Sequence, residues 1–96
     1  MKHTLQHTEE SSKGLFEMMD GLTVVGRMTY SRMDAHNIIV DHTVVDPQFK
    51  GLGLGRKLVD HLVEWARLNE QKVLPLCTFA KKTFMENPEI QDVLRK

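Results

Sequence analysis

Between Gln48 and Leu58 an apolar, β-rich run is joined to an amphipathic helical pattern through the alternate glycines Gly51, Gly53 and Gly55. This junction constrains the fold more than any other segment, because a strand must end, the chain must turn sharply and a helix must begin within a few residues. Glycine allows that turn, and with no Cβ it also lets the backbone come close to a ligand. The amides of a first helical turn have no intrahelical acceptor and point at whatever anion sits before them. Lys50, Arg56 and Lys57 fall in the same stretch, and no acid between Gln48 and Leu58 offsets them. The segment reads as a phosphate cradle in preference to a solvated glycine-rich connection.

Two familiar glycine signatures fail here. A P-loop needs Gly-Lys followed by Ser or Thr, whereas Gly55 is followed by Arg56-Lys57-Leu58. A dinucleotide fingerprint needs a glycine where Arg56 stands, and the chain before it lacks strand-helix-strand order. What remains is Q-x-x-G-x-G from Gln48 to Gly53, after the strand-like Ile38 to Val45 and at the opening of a helix.

Upstream of the loop the apolar period is two. Leu15 to Met19, the Asp20-Gly21 turn signal and Leu22 to Tyr30 predict a two-residue β-hairpin. Leu22, Val24, Met28 and Tyr30 are expected on one face of its second strand, with Thr23, Arg27 and Thr29 on the other. Ser31 to His36 reads as a polar turn and Asn37 to Val45 as a central strand. Residues 1–13 are mostly polar and read as a loose arm or a marginal strand before a domain spanning 14–96. His3 and His7 have a spacing that could share a metal on a helix, but no third ligand is evident and a solvated tail is the preferred reading.

Downstream the period changes to that of a helix. Leu54, Leu58, Leu62 and Trp65 form a stripe with Val59, Val63 and Ala66 beside it, so a helix from Leu54 to Asn69 lays a broad apolar face on the sheet. Val73 to Cys77 should return parallel to Ile38–Val45 by a right-handed crossover. Thr78 is placed to cap a second helix from Phe79 to Asn87, and Pro88 to open a short helix from Glu89 to Leu94. The expected class is α/β, with antiparallel strands followed by one parallel strand-helix-strand unit.

Composition limits the partners. Thirteen basic and thirteen acidic residues leave a formal net charge of zero, so no global field recruits nucleic acid or an anionic membrane, and phosphate recognition has to be local. One cysteine allows no internal disulfide and fits a reducing compartment. No apolar run reaches membrane-spanning length and the first residues lack a secretory apolar stretch, which makes the cytoplasm the expected location. A chain of 96 residues buries somewhat over ~60% of its unfolded surface, enough for a modest core without staples.

The Gln48–Gly53 loop looks like the acyl-coenzyme A pyrophosphate loop of the GNAT superfamily of N-acetyltransferases. With Asp41-His42-Thr43-Val44, the Leu54–Asn69 helix and Pro75-Leu76-Cys77, the chain resembles small single-domain GNAT-like proteins of the YjdJ type over most of residues 14–96. The resemblance implies a truncated GNAT-like fold without room for the helices that usually lie between the first two strands. It also implies acetyl transfer from acetyl-coenzyme A to an amine. Carried over residue by residue, it assigns Gln48, Phe49, Lys50, Gly51, Leu52, Gly53, Gly55 and Arg56 to the diphosphate loop, and Thr43, Val44 and Val45 to the strand that holds pantetheine.

Many GNAT enzymes place an acidic tyrosine on the helix after the second parallel strand. Here that helix offers Thr83 and Phe84, and the only tyrosine, Tyr30, lies in the hairpin. Cys77, at the end of the second parallel strand, is a candidate nucleophile or proton donor, with a small core thiol as the alternative. His42 is the candidate base, and on a regular strand it shares a face with Ile38, Val40 and Val44, which leaves a core histidine as the competing reading. The leading expectation is an acetyl-coenzyme A-dependent N-acetyltransferase acting on an unidentified amine, with an exposed or protein-borne amine preferred over an enclosed metabolite. A coenzyme A-binding or acyl-sensing module with little turnover is the alternative, and a protein-interaction domain whose loop has lost its ligand is the third.

Overall fold

A computed structural model describes residues 3–95. Strands β1 (Thr4–Glu10), β2 (Lys13–Asp20), β3 (Thr23–Asp34) and β4 (Asn37–Val45) form an antiparallel meander. Helix α1 (Leu54–Leu68) then crosses over to β5 (Lys72–Pro75), which lies parallel to β4 and completes the spatial order β1-β2-β3-β4-β5. Helix α2 (Thr78–Glu86) and a 3-10 turn (Pro88–Val93) follow, and Leu94 bridges back onto Val73 at the outer edge of β5.

Both helices lie on one face of the sheet. Leu54, Leu58, Val59, Leu62, Val63 and Ala66 of α1 and Ala80 and Phe84 of α2 join Phe16, Met18, Met28, Tyr30, Ile38, Val40 and Val73 in one buried cluster. The stripe read from the sequence is thus the core face of α1, with Trp65 half-buried at its margin. On the opposite face Thr4, Gln6, Thr8, Arg27, His42 and Val44 are exposed, and among the described residues no helix covers them.

The hairpin forms, but not in the expected register. Asp20 pairs with Thr23, so the two-residue turn is Gly21-Leu22, with Gly21 at φ 62°. A positive φ at the first central position suits glycine and matches the twist of a tight hairpin. Leu22, placed by its period on a buried face, is 99% exposed at the turn tip. The partners of Met18 and Met19 are Gly26 and Val24, which leaves Val25 as an extra residue. This bulge buries Val25 with the core cluster and leaves Val24 off it.

The expected polar turn over Ser31–His36 is likewise shorter. β3 continues to Asp34 and the turn is Ala35-His36, closed by the Asp34 carboxylate, which accepts from the His36 amide at 2.8 Å. Arg32 keeps the strand going, because its amide donates to the Ser12 carbonyl and its guanidinium binds Glu9 and the Gln71 side chain. Gln71, itself buried, donates onward to the carbonyls of Ala35 and Asn69 at 3.0 and 3.1 Å. This network ties β1 and β3 to the connection between α1 and β5.

Residues 4–10 pair with β2 over seven positions. The inward face of β1 carries His7, whose ring stacks on Phe16 at 4.1 Å and meets the edge of Trp65 at 5.0 Å. The Tyr30 hydroxyl donates to Glu9, so the 2.7 Å contact between His7 Nε2 and Tyr30 Oη requires the imidazole to donate. Burial lowers the His7 pKa, while the Arg32 guanidinium lowers that of Glu9. Burial pushes the Tyr30 hydroxyl upward, so it is not a ready proton donor.

A pH dependence of stability follows. The folded state disfavours a proton on His7 that the unfolded chain accepts near ~6.5, so stability is complete above that value and declines as pH falls below it. Glu9 adds a further loss at more acid pH, as its carboxylate is protonated. Urea unfolding between neutral pH and mild acid should show this slope, and His7→Gln should flatten its upper part. An identical slope in the variant would remove His7 from the account.

A second stability effect arises at the end of α1. Glu70, just beyond the C-cap Asn69, is exposed and holds φ 53°, a left-handed conformation that costs an L side chain about 1 kcal/mol and suits glycine. Glu70→Gly should raise the unfolding free energy by about that amount. An unchanged urea midpoint would show that the turn relaxes without strain.

Candidate active site

β4 and β5 diverge almost as soon as they meet. Pairing runs from Asn37 with Lys72 to Val40 with Pro75 and stops there, while β4 continues to Val45. The expected second parallel strand, Val73 to Cys77, is therefore shorter: the amides of Leu76 and Cys77 both converge on the Val40 carbonyl at 2.9 and 3.1 Å. Beyond that point the β5-facing edge of Asp41 to Val45 has no strand partner, leaving a wedge-shaped gap between the strands.

The cradle lies at the wide end of this gap. Asp46 closes a short 3-10 turn, Pro47–Phe49, by accepting from the Gln48 amide at 2.9 Å. Gly53 then caps α1 at φ 72°, ψ 22°, with no side-chain hydrogen bond. The first intrahelical bond runs from the Lys57 amide to the Gly53 carbonyl, so the amides of Leu54, Gly55 and Arg56 lie ahead of the ladder. The first turn of α1 contains no acid, which leaves the positive end of the helix dipole unopposed along the chain.

A cavity of about 520 Å³ opens there, lined by Thr43, Val45, Phe49, Lys50, Gly51, Gly53, Leu54, Gly55, Arg56 and Phe79. Eight of these are among the eleven cofactor positions expected from the sequence. The other three fall outside the lining: Val44 and Leu52 are 56% and 52% exposed, and the Gln48 side chain is exposed on the short turn. Arg56 is partly neutralised from outside the loop, by Asp60 at 2.8 Å and Glu89 at 3.4 Å. Lys50 has no carboxylate partner among the described residues and is the freer cation.

Two lining residues were missed by sequence reasoning: Leu54, read only as part of the core stripe, and Phe79. The Phe79 ring covers Gly55 so closely that a Cβ there would come within 2.5 Å of it, which explains why a buried glycine occupies the first turn of α1. The contact joins the starts of the two helices. The recoverable signal was the third glycine, one more than Q-x-x-G-x-G requires.

The two catalytic candidates separate across the strand. An extra residue at Asp41, between the pairs Tyr30–Val40 and Thr29–His42, reverses the alternation of β4. His42 therefore does not share the face of Ile38 and Val40, as a regular strand required, but is exposed on the uncovered face beside Thr29. Thr43 turns instead toward the helices and lines the cavity. Cys77 caps α2, the place expected for Thr78, and its thiol donates to the Thr43 hydroxyl at 3.4 Å. It is half-buried behind Thr43 and is not itself among the lining residues.

This geometry offers an anion seat at a helix start, a channel along a splayed strand edge, and a thiol and hydroxyl at the narrow end. Residues 15–93 match the model of the GCN5-related N-acetyl-transferase family. The chain belongs to that family: it is an N-acetyltransferase, and acetyl-coenzyme A is its cosubstrate. No curated protein sequence matches it significantly. Among solved structures it is similar to a GCN5-like N-acetyltransferase candidate from Staphylococcus aureus, with 33% identity, a TM-score of 0.72, and coverage of 95% of this chain and 88% of that one. A ribosomal-protein-alanine N-acetyltransferase from Brucella melitensis shares the fold at 16% identity and a TM-score of 0.68, over 80% of this chain and 62% of that one. A GNAT family acetyltransferase from Elizabethkingia anophelis with acetyl-CoA bound shares it at 17% identity and a TM-score of 0.59, over 67% and 42% of the two chains. Among the described residues no helix is long and apolar enough to cross a membrane.

Proposed function

We propose that this chain transfers the acetyl group of acetyl-coenzyme A to an exposed amine on a polypeptide. In this reading the diphosphate sits on the amides of Leu54 to Arg56, with Lys50 and Arg56 at its flank, and pantetheine follows the unpaired edge of β4. The observation that carries the reading is the continuity of one cavity from the uncapped start of α1 to Thr43, whose hydroxyl touches the Cys77 thiol. The uncovered sheet face supports an acceptor presented on a surface, because among the described residues no helix encloses a small molecule there. The single thiol suits a reducing location such as the cytoplasm.

Transfer requires an amine without its extra proton, a polarised thioester and an acid for the departing thiolate. As the nitrogen bonds to the carbonyl carbon, the carbon–sulfur bond breaks and coenzyme A leaves as its thiolate. Cys77 donates to Thr43, and Thr43 faces the cavity, so the pair forms a proton route to that sulfur. His42 is the base that accepts the proton from the amine.

The test combines intact-mass measurement with turnover on lysine-containing peptides. The parent should carry no acetyl group after denaturation, and Cys77→Ala should slow turnover about a hundredfold at unchanged coenzyme A affinity. A covalent acetyl group on Cys77 would make it the attacking nucleophile instead. Parental turnover in a folded Cys77→Ala protein would remove it from the chemistry, and binding without any turnover would turn the assignment to an acyl-sensing module.

A further inference from the structure

We propose that the acceptor amine reaches the thioester from the uncovered face of the sheet, where the Asp41 carboxylate receives it as a cation; this rests on the acetyl-transfer reading above. Asp41 is the bulged residue of β4, immediately after the last residue paired with β5, and so stands at the apex of the gap. The bulge puts its carboxylate on the uncovered face, where Thr29 Oγ1 donates to one oxygen and Ser31 Oγ lies 3.5 Å from the other. Two neutral hydroxyls therefore fix a half-buried carboxylate without neutralising it. Among the described residues the ion pairs engage Glu9, Asp60, Glu89 and Asp92, and none reaches Asp41. Arg27, on the same face, stands opposite Glu17 in the β2–β3 register.

A fixed, half-buried negative charge without a countercharge, beside the opening through which the thioester must be reached, is complementary to an ammonium group. Lysine side chains arrive at neutral pH in that form. His42, the next residue, is exposed on the same face and takes the proton. Capture by Asp41 sets the ammonium beside His42, its neighbour in the chain and the group that takes the proton. The amine then attacks from one side of the sheet while coenzyme A lies along the other.

The experiment measures acetylation of a lysine peptide and of hydroxylamine, which is uncharged near neutral pH, with coenzyme A affinity followed separately by calorimetry. Asp41→Asn should raise the peptide KM about tenfold, the loss of one contact to a charged group, with kcat, hydroxylamine turnover and coenzyme A affinity close to parental. Leu76→Lys, a cation placed on an exposed residue at the same opening, should raise the peptide KM in the same selective way. Parental peptide KM in both folded variants would overturn the inference while leaving acetyl transfer standing. An equal loss with hydroxylamine would make Asp41 structural and overturn it as well. A parent that binds coenzyme A and acetylates no amine would overturn this inference and the acetyl-transfer reading together.

Discussion

Gly53→Val is expected to remove most coenzyme A binding while leaving a folded protein. Gly53 holds φ 72° at the cap of α1, and a Cβ built there meets nothing within 4 Å. The first carbon of a side chain there therefore clashes with no part of the protein. The intramolecular cost of the substitution is the left-handed backbone, roughly 1–2 kcal/mol for an L residue. On the proposed reading the added isopropyl group instead occupies the open space of the cradle, through which the diphosphate would approach the Leu54–Arg56 amides. A helix start contributes up to about 2 kcal/mol to a partly buried anion, and each hydrogen bond to a charged group about 1.5–3 kcal/mol. Losing these contacts weakens affinity by about a hundredfold or more. Calorimetric titration checks the value, with a urea midpoint to confirm folding; parental affinity would move the diphosphate elsewhere. Gly55→Ala offers a contrast, because its methyl group meets Phe79 and not open space.

The largest loss of stability is expected from Phe16→Ala. The Phe16 side chain is fully buried at the centre of the aromatic cluster, stacked on His7 and within 5.7 Å of the ring centroids of Tyr30, His61 and Trp65. Truncation removes the contact surface of β1, β2, β3 and α1 at one point. Such substitutions cost about 3–5 kcal/mol, a large part of the ~5–15 kcal/mol that holds a domain of this kind together. The variant should unfold at much lower urea, and on acidification at higher pH, than the parent. A loss below about 1 kcal/mol would mean that the cluster collapses around the vacancy.

What could be read from the sequence was whatever repeats with a fixed period or belongs to a contiguous motif. The α1 stripe, the parallel return to β5 and most of the cradle lining are of that kind, since Gly51, Gly53 and Lys50 are neighbours in the chain. The inserted residues Val25 and Asp41 are not. Each changes which side chains on its two sides share a face, and no local composition marks the insertion, so Val24 and His42 were placed on the core face, which they do not occupy, while Leu22 was misplaced by the one-residue shift of the turn. Long-range partners were equally hidden: Arg56 meets Glu89 across 33 positions, and Phe79 reaches Gly55 from another helix. β3 ran past its polar residues because Arg32 finds acceptors on β1 and in the α1–β5 connection, which a window centred on Ser31–His36 cannot contain.

The bulge at Asp41 makes the chemistry of β4 a matter of parity. From His42 to Val45 every side chain takes its side of the sheet from whether an even or odd number of residues separates it from Val40. Removing Asp41 would leave the composition of the strand almost unchanged and yet transpose its two surfaces. Thr43 and Val45 would leave the cavity, and His42 and Val44 would enter it. Functional drift along this strand is therefore far more tolerant of altered letters than of an altered count, and its length has to be inherited as a reading frame is.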